Sequence, residues 1–223
     1  MGLFGKKRAK AREAEADVAE AEVEKTVGPY DEAEAPEDDE LLECGALRLP
    51  PVEGATIQFT VERNREVVLG AVYIVGESAL QLQVFAAPKS SGLWDDVRAD
   101  MISSIASQGG SSREADGEYG REIHAQMPVE GSRTVNPVRY LGIDGPRWLL
   151  RATLTGRAAV DDAEARSLLR AVLDRLVVVR GVAAHPPRDI LPLEVPRSGS
   201  KHPEPQRDRI SLPRRGPEIS EVR

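Results

Sequence analysis

Residues 67–87 read VVLGAVYIVGESALQLQVFAA, two runs dense in branched apolar residues with Gly76-Glu77-Ser78 between them. Such residues suit a pleated surface and the polar, glycine-led interruption suits a short connection, so the stretch predicts a β-hairpin. Upstream, GALRLPP and ATIQFTVER alternate apolar with polar residues in the period of a half-buried strand, and Arg63-Asn64-Arg65-Glu66 supplies a polar turn. Together these segments predict a meander.

Downstream the period changes. In PKSSGLWDDVRADMISSIASQGG, Leu93, Trp94, Val97, Met101, Ile102 and Ile105 recur at helical spacing, with Ser91 placed to cap, Asp95 and Asp96 favoured by the helix dipole and Gly109-Gly110 to end it. SSREADGEYG reads as a polar loop. REIHAQMPV, TVNPVRYLGI and, after an Asp144-Gly145-Pro146 turn, RWLLRATLTG resume strand-like alternation. Asp161-Asp162-Ala163-Glu164 opens a second helix whose stripe is Ala165, Leu168, Leu169, Val172, Leu173 and Leu176, and VVVRG can form a short last strand. The order predicts an α+β domain, an antiparallel sheet of meander and hairpin strands with two long amphipathic helices covering one face.

The 223 residues carry a net charge of -7, with 40% hydrophobic, 4% aromatic and 30% charged residues. The charge is segregated. Residues 1–12 hold five cations and no acid, whereas residues 13–43 hold fourteen acids and the single Lys25. Such low-hydrophobicity runs cannot offset their ordering entropy, so residues 1–40 read as a disordered basic-then-acidic arm. Residues 41–196 read as the single α+β domain. From His185 onward prolines and arginines describe a chain lying along the surface, and residues 197–223 a disordered tail.

The same pattern limits chemistry. The one cysteine, Cys44, forms no intramolecular disulfide and suits a reducing cytoplasm, and no apolar run is long enough to span a bilayer. No metal site is expected, because His124, His185 and His202 lack ligand spacing, and no cofactor fingerprint is present. His124 is the one histidine within the expected fold; a strand histidine is usually structural, yet with Glu122 or Asp116 it is the centre of any catalytic reading. Lys89 and Ser91 stand at a strand-to-helix junction where backbone N–H groups can meet an anion, although ordinary capping is the simpler use. Trp94 and Trp148 lie in apolar patterns that favour the core; exposed, either would mark a binding interface. At the start of the chain, Leu3 and Phe4 can insert shallowly into an anionic membrane surface while Lys6, Lys7 and Arg8 meet its headgroups. Nucleic-acid binding would fall to the basic arms, against competition from the adjoining acids.

The segments GALRLPP to LPLEVP, with VYIVGESALQLQVFAAPKSSGLWDDVR, GREIHAQMPV and GIDGPRWLLRATLTGRAA, resemble a family of uncharacterised actinobacterial proteins carrying a domain of unknown function. That resemblance implies a bacterial cytoplasmic protein and brings no catalytic residue. More loosely, the order of strands and helices is similar to the PsbP and LpqN type of α+β sandwich, a likeness of topology that does not fix function. The functional expectation is therefore a non-catalytic interaction or adaptor module with a protein partner, peripheral to the inner membrane face if the arm makes contact. The alternatives are an enzyme centred on His124 and a nucleic-acid binder acting through its arms.

Overall fold

The computed structural model describes residues 27–62, 67–89, 92–129 and 131–196. Its main element is a seven-stranded antiparallel sheet assembled from two meanders. The first is β4 (Thr56–Glu62), β5 (Val67–Val75) and β6 (Ser78–Ala86); the second is β7 (Ser111–Gly117), β8 (Gly120–Pro128), β9 (Val135–Gly145) and β10 (Trp148–Gly156). β10 pairs with β6 along its whole length, from Trp148 opposite Ala86 to Gly156 opposite Ser78, giving the order β4-β5-β6-β10-β9-β8-β7. Helix α1 (Trp94–Ser107) carries the chain from the sheet centre to its far edge.

A smaller sheet has the order β1-β11-β3-β2, from β1 (Tyr30–Asp31), β11 (Val177–Val178), β3 (Leu47–Leu49) and β2 (Leu42–Cys44). It packs with α2 (Asp162–Leu173) on the main sheet. Alternation along a strand separates the two faces of that sheet. On β10, Trp148, Leu150, Ala152 and Leu154 join the core built with α2 and the small sheet, whereas Leu149 joins Leu93, Trp94 and Ile105 beneath α1. The helices therefore cover opposite faces, which corrects the expectation that both cover one. Each stripe needs its own apolar surface, and a sheet apolar on both faces can provide two.

Two further expectations are corrected. SSREADGEYG is not a loop: residues 111–117 form edge strand β7, paired with β8 from Ser111 opposite Gln126 to Gly117 opposite Gly120. Its two carboxylates find ionic partners, Glu114 with Arg98 of α1 at 2.6 Å and Asp116 with Arg121 of β8 at 3.0 Å. Residues 27–40, expected as part of a disordered arm, lie against the body, and residues 1–26 are outside the described residues. Tyr30 is buried, its N–H donates to the Leu176 carbonyl at 2.8 Å, and β1 pairs in parallel with β11. The acids that suggested self-repulsion meet arginines of the body: Glu32 is 2.8 Å from Arg48, and Asp38 and Glu40 are 2.7 and 2.8 Å from Arg175.

After β11 the chain returns over the small sheet. Leu191 and Leu193 are buried, and their N–H groups donate to the carbonyls of Val84 at 2.8 Å and Val68 at 2.9 Å. This stretch is part of the core rather than a surface strap, because its alternate apolar residues have ladder partners. No helix among the described residues is long and apolar enough to cross a membrane.

Candidate functional site

Glu122 and His124 stand two residues apart on β8 and so share a face, the one covered by α2. The register places Arg139 of β9 opposite His124 on one side and Arg113 of β7 opposite it on the other. Where the sheet passes under the start of α2, these side chains line an open cleft of two adjoining hollows, about 380 and 580 Å³. Arg166 and Arg170 of α2, with Asp116 and Glu118 of the β7–β8 hairpin, form its outer walls.

The floor is a connected polar network. His124 Nε2 lies 3.1 Å from Glu122 Oε2, and its Nδ1 lies 3.0 Å from Arg113 Nη2. A guanidinium only donates, so Nδ1 must accept, and the imidazole is the neutral tautomer that donates Nε2–H to Glu122. The electrostatics agree. Burial, followed by the positive charge of Arg139, holds the His124 pKa below its ordinary value against the opposing bond to Glu122. Glu122 and Arg139 are only 5% and 7% exposed, and a buried charge left alone would be costly, so their mutual placement is structural as well as electrostatic. Arg139 Nη1 reaches Glu122 at 4.0 Å, its Nε donates to the Ala159 carbonyl at 3.2 Å, and its Nη2 donates to Asp162. The bond to Arg139 holds the Asp162 carboxyl below the usual range.

Local structure explains how α2 comes to meet this network. Asp161 caps the helix, its carboxylate accepting from the N–H groups of Ala163 and Glu164 at 3.0 and 3.1 Å, so Asp162 is the first helical residue and projects beside Arg139. At the hairpin end, Gly117 leaves room for Glu122; a Cβ there would collide with its carboxylate. Asp116, the alternative partner expected for His124, instead pairs with Arg121 at 3.0 Å.

The residues expected to bind ligand lie elsewhere. Lys89 is exposed before α1, and Ser91 is outside the described residues. Two N–H groups at the start of α1 are already engaged: Asp144 accepts from Leu93 N at 2.7 Å and from Trp94 N at 3.2 Å. Trp94 and Trp148 are buried, their indole N–H groups donating to the Arg121 carbonyl at 2.7 Å and to Asp31 at 2.8 Å, so neither presents a binding surface. Leu3, Phe4, Lys6, Lys7 and Arg8, with the basic residues after 196, lie outside the described residues.

Arg113, Arg139 and Asp162 escaped the sequence reading. The signal for Arg113 existed, since a two-residue turn at Glu118-Tyr119 sets it opposite His124, but it required reading the polar segment as a strand. Arg139 and Asp162 depend on tertiary packing.

Comparison with known proteins places this geometry in context. Residues 28–202 match the model of a family described as "Protein of unknown function (DUF3710)". No curated protein matches the chain. Among solved structures, the chain is similar to the solution structure of cyanobacterial PsbP (CyanoP) from Synechocystis sp. PCC 6803, with 14% identity and a TM-score of 0.38 over 60% of this chain and 87% of that one.

Proposed function

Starting from the fact that this chain belongs to the DUF3710 family, whose function is unknown, we propose that it is a non-catalytic protein-interaction module receiving a charged segment of a partner in the cleft beneath α2. The observation that carries this reading is the closure of the network on itself. Both ring nitrogens of His124 are engaged, and no serine, threonine or cysteine among the described residues hydrogen-bonds to the ring, so the imidazole activates no nucleophile in this arrangement. The groups left for recognition are on the rim. Arg113 has no carboxylate partner among the described residues, and Arg166 reaches Glu118 only at 3.8 Å. With Asp116 and Glu118 facing them, the walls match a peptide bearing both signs of charge, a form of complementarity that sets specificity and encounter rate. A single cysteine that needs no disulfide suits the bacterial cytoplasm, the compartment proposed for this module.

The test is quantitative affinity capture from native lysate with the intact chain and an Arg113→Glu/Arg166→Glu variant. The expected result is a protein retained by the intact chain and depleted about ten-fold by the variant, a change of about 1.4 kcal/mol in binding. Equal capture by both chains would remove the cleft from consideration.

The hydrogen bond between Glu122 and His124 favours a second reading, that of an enzyme. A carboxylate that fixes Nε2–H leaves Nδ1 as a base once Arg113 swings toward a ligand, and a lowered pKa keeps that base unprotonated near neutrality. Incubation with a cell metabolite extract separates the readings. Turnover present with the intact chain and absent with His124→Gln would establish the enzyme and overturn the binding module.

A further inference from the structure

The opposite face of the sheet holds a cation of a different kind. Arg48, Arg98, Arg139, Arg170 and Arg175 each meet a carboxylate within 4.0 Å. Arg151, in the middle of β10 on the face that α1 covers only in part, meets none among the described residues. Its Nη2 donates to Gln83, its guanidinium carbon lies 4.9 Å from the centre of the Phe85 ring, and its Nε is buried without a partner. A half-buried guanidinium with neutral neighbours bears a desolvation cost that no counter-charge repays, which is the condition of a site waiting for an anion. Burial accordingly holds the Arg151 pKa below its ordinary value.

The surroundings restrict what that anion is attached to. Arg151 borders a groove of about 390 Å³ between α1 and the sheet, with Met101 and Ile105 on the helix side and Met127, Tyr140, Gln81 and Thr153 on the sheet side. That volume lies at the small end of ligand pockets. One part is apolar and adaptable, because methionine fills irregular space. The other is polar: the Tyr140 hydroxyl is hydrogen-bonded to no described residue, and burial raises its pKa, leaving it a neutral donor near Arg151. The groove thus has an apolar strip at Met101, Ile105 and Met127, a polar helix edge at Ser104 and Gln108, and on the sheet a cation with a spare hydroxyl donor.

We propose that this groove binds a small monocarboxylate with an apolar tail, the carboxylate held by Arg151 and Tyr140 and the tail lying against Met101, Ile105 and Met127. The site is separate from the cleft beneath α2 and does not depend on the function proposed for it. A carboxylate offsets the desolvation of Arg151, because it adds the opposite charge that Gln83, its neutral partner, lacks.

The probe is octanoate, compared with octanol and acetate, followed by calorimetry and by the methyl resonances of Met101 and Met127 in the full chain. Octanoate is expected to bind and shift both methyl groups, with octanol and acetate at least ten-fold weaker because each lacks one half of the match. Arg151→Gln should weaken octanoate at least ten-fold while leaving octanol unchanged. Should that variant fail to fold, Tyr140→Phe supplies a milder loss of the same sign. Equal affinity for octanoate and octanol, binding that leaves the methionine methyl groups unmoved, or no binding of octanoate would each overturn the proposal.

Discussion

Asp144, near the end of β9, caps α1 from across the fold, its carboxylate accepting from the N–H groups of Leu93 and Trp94. Helix capping is commonly a local affair, settled by the residue that precedes the helix. Here the N-cap residue is Leu93, which has no side-chain oxygen to give, and the cap comes from a strand 51 residues downstream. Asp144→Ala should cost about 0.5–2 kcal/mol, the range for loss of a cap, with Asp144→Asn intermediate. The check is the urea midpoint of each variant; an unchanged midpoint for Asp144→Ala would show that solvent serves α1 equally well.

Gly142 of β9 lies under the ring of Trp94, and a Cβ there would collide with the indole. Gly142→Ala should therefore displace Trp94, costing about 1–3 kcal/mol as overpacking does, and loosen α1 before the rest of the fold. Hydrogen exchange of α1 amides would show it, with the α2 amides keeping their protection.

His124 carries a pH dependence of definite sign. Burial and the cations beside it lower its folded pKa, so the unfolded chain binds the proton more readily. Its contribution is thus complete above the unfolded value of about 6.5 and is lost as pH falls from there through the folded value. Unfolding free energy should decline on acidification from about pH 7 to about pH 5, and His124→Gln should flatten that decline. Asp161 and Asp162, with pKa values lowered from 3.8, act at more acidic pH and leave this window to the imidazole.

Cys44 is fully buried, and burial pushes its thiol pKa up to about 12. Since the thiolate is the reactive form, the native protein should resist a thiol-specific disulfide reagent at neutral pH and react promptly after denaturation. Rapid labelling of the native chain would place the thiol at the surface.

The periodic elements were legible because their patterns are local: the hairpin at residues 67–87, the helical stripe from Leu93 to Ile105 and the Asp161 cap can each be read within a dozen residues. The site was half legible. Glu122 and His124 share a face by strand alternation alone, whereas Arg139 reaches Asp162 only because β9 passes under the start of α2. Polarity misled twice for the same reason. In β7 and in residues 27–40, charged side chains mark ion pairs with distant arginines rather than freedom from structure, and composition cannot tell a solvated acid from a paired one.

The parallel pairing of Tyr30 with Val177 also bears on biosynthesis. An N-terminal strand leaves the ribosome early while β11, its partner in the sheet, follows only at residue 177, so this parallel pairing forms late and the loop it closes spans most of the molecule. Translation-arrested chains that stop short of Val177 should leave Tyr30 open to protease, while chains arrested well past residue 196 should protect it. For a chain of this topology, the interior is completed only after the last strand of the domain has been made.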